Sequence, residues 1–83
     1  MNIKKNIAVS DAGMIFNPET GETFTVNPIG AEIISAVKEG HSPESITKTI
    51  TEKYNVEPTT FEKDYEDFIG LLRNFSLLEE DDQ

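Results

Sequence analysis

The chain has 83 residues, with 7 Lys plus Arg against 16 Asp plus Glu, a formal charge of −9 and no cysteine. That length supports one modest core burying roughly 60% of the unfolded surface, and the missing thiols exclude disulfide staples, thiolate metal sites and cysteine nucleophiles. The acidic balance opposes binding to a phosphate backbone, and no signal peptide or membrane-spanning apolar run is read, so a cytoplasmic protein without nucleic-acid or membrane partners is expected.

The first third reads as extended. Ile7 and Val9 alternate with polar neighbours, and Met14-Ile15-Phe16 follows a turn at Asp11-Ala12-Gly13. Asn17-Pro18-Glu19-Thr20-Gly21 is a second turn, because proline fixes one dihedral and glycine accepts positive φ. Glu22-Thr23-Phe24-Thr25-Val26 then alternates with period two, Phe24 and Val26 on one face. Three short strands form a meander that needs helices to lean on.

Asn27 caps the first predicted helix, and Pro28 suits its first position. Ile29, Ile33, Ile34 and Val37 form its apolar stripe, and Gly40 stops it. Ser42-Pro43 repeats the start signature, and Ile46, Ile50 and Tyr54 carry a second helix to about Tyr54. Asn55-Val56-Glu57-Pro58 breaks the pattern. Thr59 with Glu62 reads as a capping box, opening a third helix near Thr60 with Phe61, Tyr65, Phe68, Leu72 and Phe75 inward. Leu77 and Leu78 close a core centred on Ile33, Ile50 and Phe68. Glu79-Glu80-Asp81-Asp82 reads as a solvated tail. The expectation is an α+β fold, an N-terminal three-stranded antiparallel sheet followed by three helices in a winged helix-turn-helix-like arrangement. Residues 1–79 would form a single domain and 80–83 an acidic tail.

A three-strand meander has two free edges, and lysines commonly guard such edges. Lys4 and Lys5 would guard the first strand. Glu22–Val26 carries Thr23 and Thr25 and no proline, which suits it to pairing with an added peptide strand. The plainer reading is an edge covered by the chain's own tail. Amides along the strand alternate in direction, and the sequence leaves the parity open. Leu71 lies off the stripe of Phe68 and Leu72, as a groove lining or as a broad flank of the core. Asp64 and Asp67 read as a solvated face rather than paired acids, and His41, the single histidine, as a loop residue. With no metal-ligand, phosphate-loop or nucleophile spacing, neither catalysis nor a cofactor is expected.

The order of these features resembles the PqqD family, named for pyrroloquinoline-quinone biosynthesis. The likeness rests on the Pro18-Glu19-Thr20-Gly21 turn, Val26-Asn27-Pro28-Ile29-Gly30-Ala31-Glu32-Ile33, Gly40, Ile46, Ile50, Tyr54, Asp64-Tyr65 and Phe68-Ile69-Gly70-Leu71-Leu72. It spans about residues 5 to 79. The resemblance implies a recognition element that holds the leader of a ribosomally made precursor peptide. The element presents that leader to a modifying enzyme, often a radical S-adenosylmethionine enzyme. In that family the leader adds a strand to the third β-strand and lies against the third helix. Carried over, the binding residues would be Glu22, Thr23, Phe24, Thr25 and Val26, with Asp64, Asp67, Phe68 and Leu71 on the helix. Asp64 matches a family-typical acidic position.

The chain departs from the pyrroloquinoline-quinone proteins in its polar second helix (Thr47, Lys48, Thr49, Thr51). It also has Phe75-Ser76 where the family commonly has a glycine, which leaves room for a different cargo peptide. Two other classes fit the residues less well. An acyl-carrier-like protein would need an Asp-Ser-Leu-like site, whereas Ser42 sits between His41 and Pro43, and carriers are all-helical. A DNA-binding winged helix would carry Glu62, Asp64, Glu66 and Asp67 on its recognition helix against Lys63 and Arg73. A winged-helix adaptor for another protein partner stays as the alternative. The chain itself is expected as a monomer or a weak edge-paired dimer.

Overall fold

Turn chemistry sets the sheet. The computed structural model describes residues 2–79, and its first elements are β1 (Asn2–Ile3), β2 (Ala8–Val9), β3 (Met14–Asn17) and β4 (Glu22–Thr25). Strands β2, β3 and β4 form an antiparallel sheet in that order, with Ala8 opposite Phe16 and Met14 opposite Thr25. Gly13, at φ 89°, turns the chain where a Cβ would lie 2.5 Å from the Val26 carbonyl oxygen. Only glycine fits there. In the β3–β4 turn the buried Asn17 accepts the Glu19 N–H at 3.0 Å, an Asx turn.

Three helices follow: α1 (Pro28–Lys38), α2 (Pro43–Tyr54) and α3 (Pro58–Asn74). Asn27 Oδ1 accepts the Gly30 N–H at 2.7 Å, and Ser42 Oγ accepts the Ser45 N–H at 3.1 Å, so both expected caps form. After α1 the His41 N–H closes back on the Ala36 carbonyl at 3.0 Å around left-handed Gly40. Helix α3 starts at Pro58, earlier than the expected start near Thr60. Glu57 is its N-cap with no side-chain cap bond, and the Thr59–Glu62 box does not form. Proline at the first helical position outweighs the box, as at Pro28 and Pro43.

The core gathers Ile15, Ile34, Ile46, Ile50, Leu72 and Leu77, each at most 2% exposed, and Ile33 lies with them. Phe68 does not sit at its centre. The inward face of α3 is Phe61, Tyr65, Ile69 and Leu72, and Phe68 is only half-buried on one flank. Phe75, also expected inside, is 38% exposed.

Both chain ends differ from expectation. Lys4 and Lys5 precede β2 rather than lying on it, so they guard no edge of the sheet; β2 is instead only two residues long. Short edge strands are themselves poor templates for pairing. Glu79, expected in a tail, belongs to β5 (Leu78–Glu79), which pairs antiparallel with β1 as Asn2 with Glu79 and Ile3 with Leu78. The expected tail at 80–83 lies outside the described residues.

Candidate functional site

Strand β4 ends the sheet, and among the described residues no strand pairs with its outer side. Two bonds settle the direction of its amides. The Val26 N–H donates to the Gly13 carbonyl at 2.9 Å, and the Ser10 N–H to the Met14 carbonyl at 2.9 Å. Alternation then turns Gly13 and Ile15 toward β4 and Met14 and Phe16 toward β2. On β4, Phe24 bonds inward, whereas the N–H and C=O groups of Thr23 and Thr25 face the open edge. Their side chains are exposed, while Phe24 and Val26 are half-buried against the core.

Beside this edge runs an apolar groove made by one flank of α3. Its first socket lies under the Phe24–Val26 segment and is closed by Leu71, Leu72, Phe75 and Leu77. The Phe24 and Phe75 rings meet at 4.6 Å between centroids, tilted by 52°, which ties the strand to the end of the helix. The second socket lies at the start of α1, between Asn27, Ile29, Gly30 and Ile33 on one side and Val56, Phe61, Asp64 and Phe68 on the other. A Cβ on Gly30 would lie 3.1 Å from Val26 Cβ and 3.2 Å from Phe68 Cζ, so the bare glycine lets Phe68 come close to the strand end. Val26 and Phe68 therefore stand between the sockets. Along α3 the exposed flank reads Asp64, Phe68, Leu71, Phe75, the i, i+4, i+7, i+11 spacing of one helical face.

The polar lining of the two sockets is Thr25, Asn27 and Asp64. Asn27 is committed to its cap, and among the described residues lining the sockets no nucleophile stands beside a base. Groups with displaced pKa values lie elsewhere. Glu32, Lys53 and Tyr54 form a joint between α1 and α2, and burial raises the Tyr65 hydroxyl on the core face of α3.

The family described as "Coenzyme PQQ synthesis protein D (PqqD)" matches residues 13–78. The chain belongs to the PqqD family. No match was found among curated proteins. Two solved structures share the fold of this chain. One is described as "TbiB1 in Complex with the TbiA(beta) Leader Peptide", with 31% identity, TM-score 0.87 and 100% of both chains covered. The other is "Lasso peptide synthetase B1 complexed with the leader peptide", with 25% identity, TM-score 0.78, and 88% of this chain and 89% of that one covered.

Of the residues expected to bind peptide in this PqqD chain, Phe24, Thr25, Val26 and Leu71 line the first socket, and Asp64 and Phe68 the second. Glu22 and Thr23 complete β4. Asp67 lines neither socket; it lies one helical turn beyond Asp64, exposed on the outer flank. Sequence reasoning missed Phe61, Phe75, Ile29 and Val56 as groove residues because it gave Phe61 and Phe75 to the inward stripe of the third helix and Ile29 to that of the first, and read Val56 as part of the break between helices. The usable signal was the same i, i+4, i+7, i+11 run, which leaves Phe75 on the flank with Leu71.

Proposed function

We propose that this PqqD-family chain binds the leader of a ribosomally made precursor peptide and presents it to a modifying enzyme, performing no chemistry itself. The observation that carries this is the outward-facing Thr23 and Thr25 backbone beside an apolar groove. An extended peptide satisfies both at once: its main chain bonds β4, and alternate side chains drop into the groove. Two structural relatives described as leader-peptide complexes, one matched over 100% and the other over 88% of this chain, support the reading. The modifying enzyme is read in two ways. The family's name leads to a radical S-adenosylmethionine partner, whereas the second relative's name leads to lasso peptide maturation. Structural agreement over nearly the whole of both chains favours the lasso reading. The protein would act as a monomer in the cytoplasm, its open edge kept for the leader; no described helix is long and apolar enough to cross a membrane.

The test is amide shift mapping during titration with the leader of the precursor encoded beside the gene, on the wild type and on proline variants. Thr23→Pro and Thr25→Pro remove amides aimed at the open edge, so the fold stays and binding drops at least tenfold. Phe24→Pro removes a ladder donor and unfolds the sheet. Shifts confined to β2, or equal affinity for Thr25→Pro and wild type, would defeat the reading.

A further inference from the structure

The groove holds one charge. Among the described residues Asp64 is the sole ionisable side chain lining either socket, and it is exposed, with no ion pair or hydrogen bond. On its own side of the second socket stand Val56 and the Phe61 and Phe68 rings, and Ile29 lies opposite. An ionised carboxylate only accepts, and its bonds to cationic donors are about twice as strong as neutral ones. A Lys or Arg stem suits this place, because its methylenes lie along apolar surface while its head reaches the acid. An aspartate or glutamate arriving there would lose water and meet a like charge, which discriminates against it.

The two sockets also set a spacing. The contact of Phe24 with Phe75, and the approach of Val26 and Gly30 to Phe68, show that β4 and α3 run in opposite directions along the groove. A peptide on the β4 edge therefore passes from one socket to the other. The socket centres, near residues 64 and 73 of α3, are separated by roughly 13 Å at the helical rise. That is about four residues of extended chain, an even number that keeps both anchors on one face. The second socket holds ≈ 270 Å³ against ≈ 130 Å³ for the first, so it takes the bulkier load.

We propose that Asp64 is a specificity-determining residue: the cargo is an extended peptide with two apolar anchors about four residues apart, and a Lys or Arg beside the anchor that fills the Phe61–Phe68 socket. The proposal rests on the leader-binding reading and adds to it the chemistry of the peptide.

The experiment is selection of a displayed library of random twelve-residue peptides on the full chain, repeated on Asp64→Asn, Asp64→Lys and Asp67→Asn. Wild type should enrich Lys or Arg at one fixed distance from an apolar pair. Asp64→Asn should erase that preference and weaken the best wild-type peptide about two- to fivefold, the upper part of the range of an exposed ion pair. Asp64→Lys should enrich acids at that position. Asp67→Asn, altering net charge equally but outside the socket, should change affinity less than about twofold by screened solvent. Peptides whose binding is lost in Thr25→Pro but which show no charge preference, or one unmoved by Asp64→Asn, would overturn the proposal and leave leader binding standing. Finding no binder sensitive to Thr25→Pro would overturn both.

Discussion

Ser76 illustrates how one residue carries a local cost for the site. It closes α3 at φ 59°, letting the Leu77 N–H reach the Leu72 carbonyl at 3.0 Å and placing Leu77 under the first socket. A left-handed conformation costs an L-residue about 1–2 kcal/mol, and glycine returns part of that gain as backbone entropy. Ser76→Gly should therefore raise stability by about 0.5–1 kcal/mol, read as a higher urea midpoint with an unchanged slope. Asn55, at φ 57°, ends α2 in the same way but tolerates that conformation. Gly40 and Asn27 were legible as stop and cap because their roles are local. Serine carries no comparable signal for left-handed backbone, so the strain at Ser76 was not.

At the scale of elements, α1 and α2 are joined by the Glu32 carboxylate, which accepts the Tyr54 hydroxyl and pairs with Lys53 Nζ at 3.0 Å. The Tyr54 hydrogen bond is the main cause holding the Glu32 pKa below the usual carboxylate range, and the same bond raises Tyr54. A lowered carboxylate contributes stability above its unfolded pKa and loses it as pH falls through the folded value. A raised tyrosine contributes below its unfolded pKa and loses it as pH rises through the folded value. The joint should thus hold at neutral pH and weaken toward both extremes. Tyr54→Phe should flatten the acid fall and reduce the alkaline one. Tyr65, raised chiefly by burial, keeps a residual alkaline loss. Thermal melts from about pH 3 to about pH 11 check this; identical profiles for variant and wild type would contradict it. The stripe periods announced both helices, but the bond between them joins residues about twenty positions apart, beyond what a local period encodes.

Across the whole molecule, stability and binding divide between two neighbouring sets of residues. Ile50 is 2% exposed, so Ile50→Ala should cost about 2–5 kcal/mol. For a domain with roughly 5 kcal/mol to lose, that unfolds a large fraction. Phe68 is half-buried between core and groove. Phe68→Ala should cost about half the 3–5 kcal/mol of a buried phenylalanine while weakening peptide binding at least as much as Asp64→Asn. Melting and titration of both variants would show the split, and a Phe68→Ala protein as unstable as Ile50→Ala would return Phe68 to the core.

The sequence by itself determined what depends on neighbours a few residues away. Turns at Gly13 and Gly21, caps at Asn27 and Ser42, the apolar stripes of the first two helices and the acid excess are all local or summed properties, and each survives in the fold. The period-two run of Glu22–Thr25 is likewise real. Tertiary structure decided the rest. Pairing register, not the strand's own residues, turned the Thr23 and Thr25 amides outward, because amide direction is defined only against a partner. The ends met as β1 and β5 because Ile3 and Leu78 bury together from opposite termini, and two-residue strands have no readable alternation. The width of the buried arc on α3 followed from which elements packed on it. A stripe's spacing gives its direction, but only the packed neighbours divide Ile69 into the core and Phe68, Leu71 and Phe75 into the groove.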